Sequence, residues 1–274
     1  MITIEFKDEQ NAKSLCDRFV QSGNMKAIAV TYEGSCVKIK FIRNPDGFSL
    51  ISRILAEHVM AMKEENMLLD LIESAFYFQD QDEQEQILVV AKSIIQGEKP
   101  ELPGLKKAVS RHQVLSDAFY EFLADGLSFN YDSFIRFRLK PYRECLQHYV
   151  EMAIDEYKLE QEYQNFVENL RRLLKKREPL LETVHLVFNH EFALYDRHYR
   201  RIKEHDLQDR LGPTYRFRWG LDIQPSVLVT LIGIAPKTIF LYTDNMDAGM
   251  IQTIQNVFLE RLVICPVRAC DFHS

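Results

Sequence analysis

The sequence predicts an α+β protein. It has a mostly helical middle with one long spine helix, a small N-terminal β-α-β-β element, and a C-terminal α/β module with a short parallel sheet. Three observations carry this. Apolar residues alternate at period two near the N-terminus. They recur at three-and-four spacing from Phe48 to about Lys176. Beyond Glu178-Pro179 short helical and strand patterns take turns. With 274 residues, 46% of them apolar and 27% charged, the chain can bury a sizeable core without a disulfide or metal staple. Collagen-like, low-complexity and largely disordered classes are excluded.

The first 42 residues read as strand, helix, strand, strand. Ile2, Ile4 and Phe6 alternate; Leu15, Phe19 and Val20 sit at helical spacing, and Gly23-Asn24 closes that helix. Ala27-Ile28-Ala29-Val30 and Val37-Lys38-Ile39-Lys40-Phe41 form two strands, with Glu33-Gly34-Ser35 as the turn. The breaker Asn44-Pro45-Asp46-Gly47 sets residues 1–45 apart as a small α/β element.

Residues 46–180 form the helical region. Ile51, Ile54, Leu55, Val59 and Met62 make one apolar stripe; Ile87, Val90, Ala91, Ile94 and Ile95 make another, ended by Gly97 and Pro100. A further helix runs from about Leu105 to Leu123 and stops at Ala124-Asp125-Gly126. The spine follows: from Leu146 to Leu174 one apolar stripe persists through Tyr149, Ala153, Tyr157, Val167 and Leu170, a helix of roughly 40 Å. Pro141 near its start either opens or kinks it.

Residues 181–274 form the C-terminal module. Val184, Leu186 and Phe188 alternate with His185 and Val187, and Phe192 to Tyr195 makes a second strand. Ser226–Ala235, Thr238–Tyr242, Ala248–Phe258 and Leu262–Cys265 then alternate helix and strand, the order of a small parallel sheet with helices packed on it.

Several segments, taken in order, resemble a known family. They are Phe134-Ile135-Arg136-Phe137-Arg138-Leu139, the stretch Ala153-Ile154-Asp155-Glu156-Tyr157 through Tyr163, Val184-His185-Leu186, Leu194-Tyr195-Asp196, Leu231–Lys237 and Thr253–Phe258. Together they resemble the YtxC-like family of sporulation proteins of endospore-forming Bacillus relatives, over most of residues 45–270. The resemblance implies a soluble protein linked to spore formation. It supplies no activity and no catalytic residues.

The net charge of −6 is unevenly spread. Residues 1–170 carry 19 basic and 28 acidic side chains, residues 171–218 carry 12 and 7, and the last 56 residues return to −2. A positive island on an acidic protein suits an anionic partner. Arg171, Arg172, Lys175, Lys176 and Arg177 close the spine helix, and opposing the helix dipole accounts for one or two of them. Arg197, Arg200, Arg201, Lys203, Arg210, Arg216 and Arg218 follow, interleaved with Tyr199, Tyr215, Phe217 and Trp219, a pattern that phosphates and stacked bases select. Seven acids in the same stretch can also neutralise much of it, leaving an ordinary charged surface.

Metal and catalytic signals are thin. Cys265 and Cys270, spaced C-x4-C, with His273 behind them, are weak zinc candidates that lack a fourth ligand unless His185 or His205 supplies it. The competing reading is a Cys265 buried at a strand end and a free Cys270 in the tail. Glu151, Asp155, Glu162 and His148 share one side of the spine without a matching set elsewhere, as in a solvated acidic face. His185, His190 and Asp196 fall in one hairpin with no nucleophile motif beside them. Five scattered cysteines, no basic-then-apolar leader and no long charge-free span favour a cytoplasmic, non-membrane protein.

With the sporulation link that the resemblance implies, the expectation is a sporulation-associated cytoplasmic factor that binds or assembles rather than catalyses, with no cofactor. Its expected protein partner would meet the 171–218 segment through Arg171, Arg172, Lys175, Lys176, Arg177, Arg200, Arg201, Arg216 and Arg218. The alternative is nucleic-acid binding or processing by that same segment, and a metal-dependent hydrolase stands third. Oligomeric state is left open.

Overall fold

The structure, a computed structural model, describes residues 1–23, 28–41, 47–100, 102, 110–202 and 227–267. Two compact units divide the chain, Met1–Leu159 and Glu160–Ser274. Each holds a four-stranded sheet, and the α+β class stands.

In the first unit β1 (Ile2–Glu5), α1 (Glu9–Gln21), β2 (Ile28–Glu33) and β3 (Cys36–Phe41) follow the predicted order. Asp8 caps α1 by accepting the Asn11 N–H at 2.8 Å. Gly34, at φ +60, starts the two-residue loop between β2 and β3, where a right-twisted hairpin wants a positive φ. β1 pairs antiparallel with β3, setting Ile2 beside Ile39 and Ile4 beside Val37, all four fully buried on one face.

β4 (Ser128–Asn130) lies in a stretch read as helical. It joins the sheet parallel to β1, giving the order β2-β3-β1-β4. Three residues are too few to show a period, so this strand comes from pairing with a segment 125 residues away rather than from local pattern.

The helices of the first unit are α2 (Gly47–Met62), α3 (Glu64–Ser74), α4 (Gln81–Gln96), α5 (Arg111–Phe122), α6 (Tyr131–Arg138) and the start of α7 (Lys140–Lys175). The helix expected from Leu105 begins at Arg111, capped by the Ser110 hydroxyl; residues 103–109 lie outside the described ones, as does most of the breaker at 44–47. Asp80 caps α4, and Gly97 ends it at φ +79. Pro141 stands in the first turn of α7, where its missing N–H costs nothing, so it opens the helix. At 36 residues α7 runs roughly 54 Å, longer than its apolar stripe alone indicated.

The core of this unit takes Ile54, Leu55 and Val59 of α2, Leu115 and Phe119 of α5, and Tyr142, Leu146 and Val150 of α7. Two polar clusters lie within it. His58 and Tyr131, both fully buried, meet at 2.7 Å between Nδ1 and the phenol oxygen. Glu64 of α3 accepts two bonds from Arg111 of α5, at 2.5 and 2.6 Å, and one from the Tyr142 hydroxyl of α7, tying three helices at one point.

The second unit contains the C-terminal turns of α7, then β5 (Thr183–Asn189), β6 (Glu191–Asp196), α8 (Val227–Ile234), β7 (Thr238–Tyr242), α9 (Gly249–Phe258), a 3₁₀ turn (Leu259–Arg261) and β8 (Leu262–Cys265). The sheet order is β6-β5-β7-β8, with β5, β7 and β8 parallel and β6 added as a hairpin through His190 at φ +64. Val184, Leu186, Ile239 and Leu241 bury one face against Leu231 of α8, Ile254 of α9 and Val167 and Leu170 of α7.

Burial foremost, with the cations of Arg18 and Lys63, pushes the His58 pKa down to about 4 from the 6.5 it has when unfolded. The unfolded chain therefore takes up this proton first as pH falls. Stability held above pH 6.5 is lost between 6.5 and 4, by up to about 3 kcal/mol. Urea unfolding of the wild type across that window is expected to show this loss, and His58→Phe should flatten it. Arg111→Ala, by stranding the mostly buried Glu64 carboxylate, is expected to cost about 2–4 kcal/mol in the same assay.

Candidate functional site

The register of the second sheet puts the start of β5, the end of β6 and the start of β7 together, through the pairs Val184–Asp196 and Thr183–Thr238. This end of the sheet receives the link from the C-terminus of α7 and the turn that follows β6. Both stretches are basic, so residues 171–177 and 197–201, some twenty positions apart in sequence, are gathered at one end of the unit.

Their roles differ residue by residue. Arg171 turns inward and donates from Nε to the Asn256 carbonyl at 2.8 Å, satisfying the last turn of α9. Arg172 is exposed, with Glu168 one turn back at 3.9 Å, a pair of little energetic worth. Lys175, Lys176 and Arg177 are exposed, as are Arg197, Arg200 and Arg201. Arg216 and Arg218, with Lys203, Arg210 and the aromatics Tyr215, Phe217 and Trp219, lie outside the described residues.

The turn after β6 is organised by Asp196. Its Oδ1 accepts the main-chain N–H groups of His198 at 2.8 Å and Arg200 at 3.0 Å, and its own N–H donates to the Arg200 carbonyl. Burial works against ionisation here, but those two hydrogen bonds and the neighbouring cations hold the carboxyl below its usual range. The chain then returns along β6, with Ile202 N–H bonded to the Leu194 carbonyl at 2.8 Å and Arg201 opposite Tyr195. Tyr199 is held at φ +60, a left-handed conformation a tyrosine rarely adopts, and stays 56% exposed.

Tyr199 lies over His185, with ring centres 4.5 Å apart. His185 points to the sheet face opposite the core, stacked on Phe240 and Tyr242, and its Nδ1 meets the Tyr242 hydroxyl at 3.1 Å. Desolvation lowers the His185 pKa, and Asp196 partly opposes that shift. Asp196 thus sits near His185 as its place in the hairpin suggested, but its hydrogen bonds go to the turn. The stack of Tyr199, His185 and Phe240 was not legible in sequence. Period-two parity assigns each residue a face, but only the β5–β7 register makes them neighbours.

The remaining candidates are not assembled into a centre. Among the described residues no group of three or more His, Cys, Asp or Glu side chains is placed to hold a metal ion. Cys265 ends β8 half-buried, while Cys270, His273 and His205 lie outside the described residues. Glu151, Asp155 and Glu162 are exposed along α7, and His148 meets Glu151 at 3.8 Å in an exposed pair. The arrangement is a set of exposed cations beside a turn that Asp196 organises.

The model of the YtxC-like family matches residues 49–263. A similar protein is the Bacillus subtilis (strain 168) chain named "Uncharacterized protein YtxC", 35% identical over 272 residues, which cover 98% of this chain and 95% of the relative. No solved structure matches.

Asp196→Ala is expected to release the turn and cost about 1–2 kcal/mol, the range for losing charge-assisted bonds to main-chain donors. Thermal unfolding should report the loss, and amide exchange at His198 and Arg200 should accelerate.

Proposed function

Since the chain belongs to the YtxC-like family, we propose that it serves as a cytosolic sporulation-associated factor that binds an acidic protein partner through the basic end of its second sheet. One observation carries the reading. Lys175, Lys176, Arg197, Arg200 and Arg201 are exposed there without an ion pair to any described acid, while two nearby acids, Glu182 and Asp196, are already engaged. Glu182 pairs with Lys237 at 2.6 Å, and Asp196 is consumed by its turn. Cations so left speed and orient association with an acidic surface. Arg171 holds α9 and is not part of the contact surface. Among the described residues no helix is long and apolar enough to cross a membrane, and Cys16, Cys36, Cys145 and Cys265 are free thiols, as suits a reducing compartment.

A second reading, binding of single-stranded nucleic acid, is favoured by one feature, the exposed Tyr199 ring set among Arg197, Arg200 and Arg201.

The test is affinity recovery from sporulating cells, comparing wild type with a variant carrying Lys175→Glu, Lys176→Glu, Arg200→Glu and Arg201→Glu. A protein recovered by the wild type and lost, by about tenfold or more, with the variant is the expected result. Equal recovery by both overturns the surface assignment. Tight binding of oligonucleotides, weakened steeply by salt and by Tyr199→Ala, would establish the second reading instead.

A further inference from the structure

Among the described residues, β8 is an edge strand without the usual protection. Sheet edges present unpaired main-chain groups, and proteins blunt them with charges, proline, bulges or covering segments. The other long edges here follow that rule. β2 ends in exposed Thr31, Tyr32 and Glu33, and β6 is covered near its end by the returning stretch Arg200–Ile202. β8, Leu262-Val263-Ile264-Cys265, contains no charge, proline or glycine. Val263 is 42% exposed and Ile264 48%, with Leu259 exposed just before them. Arg261, the nearest cation, turns back to the Pro236 carbonyl at 3.2 Å and leaves the edge neutral.

Pairing with β7 sets the hydrogen-bond phase of this edge. Cys265 stands opposite Tyr242 and its carbonyl accepts the Thr243 N–H, so Cys265 and, two residues back, Val263 direct their main-chain groups to β7. Leu262 and Ile264 direct theirs outward. The Leu262 N–H is satisfied by the Leu259 carbonyl, which leaves the Ile264 N–H and the carbonyls of Leu262 and Ile264 without a described partner.

We propose that this edge pairs with the same edge of a second copy of the chain, antiparallel about a two-fold axis at Val263. In that register each Ile264 N–H donates to the partner copy's Leu262 carbonyl, and each Ile264 side chain covers the partner copy's Leu262. The two Val263 side chains face each other. No like charges oppose: Arg261 faces Cys265, and Pro266, which has no N–H to give, falls outside the paired stretch. A strand with no charge has no electrostatic claim on the acidic partner proposed above, whereas it is complementary to itself. The result is a continuous eight-stranded sheet, and it does not depend on the basic surface.

Sedimentation velocity on the full chain, from about 1 to about 100 μM, tests this. The wild type is expected to show a reversible dimer. Val263→Lys and Val263→Glu, each alone, should weaken it about tenfold or more by setting like charges face to face. An equimolar mixture of the two should restore it, which also shows that both variants are folded. A wild type monomeric throughout, a dimer indifferent to both variants, or a mixture that stays monomeric each overturns the proposal.

Discussion

The register of β5 is the constraint on which the second unit depends. With Val184 opposite Asp196 on one side and Ile239 on the other, Val184 and Leu186 face the helices and His185 faces away. A slip of one residue would turn His185 into the apolar core and expose Val184 and Leu186, so burial enforces the register strongly. The same pairing decides where the two basic stretches arrive, because the end of β6 and the start of β5 are one place. The surface chemistry of this unit is thus a consequence of how its core is filled.

The first unit is located by polar contacts as much as by apolar ones. A buried His58–Tyr131 pair and the Glu64–Arg111–Tyr142 cluster each join elements that are far apart in sequence. Desolvation offsets much of what such contacts gain, and His58 Nε2 is buried without a hydrogen-bond partner among the described residues, so the value of these clusters lies in the elements they join more than in net stability. Burial also pushes the Tyr131 and Tyr142 hydroxyls far above the ordinary phenol range, so both remain protonated at any physiological pH.

Among the cations at the C-terminal end of α7, two show how charge and role separate. Arg171 and Lys175 are one helical turn apart and chemically alike, yet the first is committed to the α9 carbonyl and the second to solvent. Position relative to the helix dipole does not tell them apart. Only the neighbour at Asn256 distinguishes them.

Much of the fold was legible beforehand because most elements have a period of their own. The β-α-β-β start, the spine helix, the hairpin after it and the alternating end all carry patterns that local sterics and burial impose. β4 was not legible, since three residues hold no period and acquire strand geometry only against β1. Within the candidate site the basic residues were visible as composition. Their gathering at one sheet end was not, nor the placement of Tyr199 over His185, nor the outward phase of Leu262 and Ile264. By itself, then, the sequence determined the kind and order of the elements and the location of excess positive charge. Tertiary structure alone decided register and adjacency, because those arise from pairing between segments distant along the chain, on which no local pattern bears.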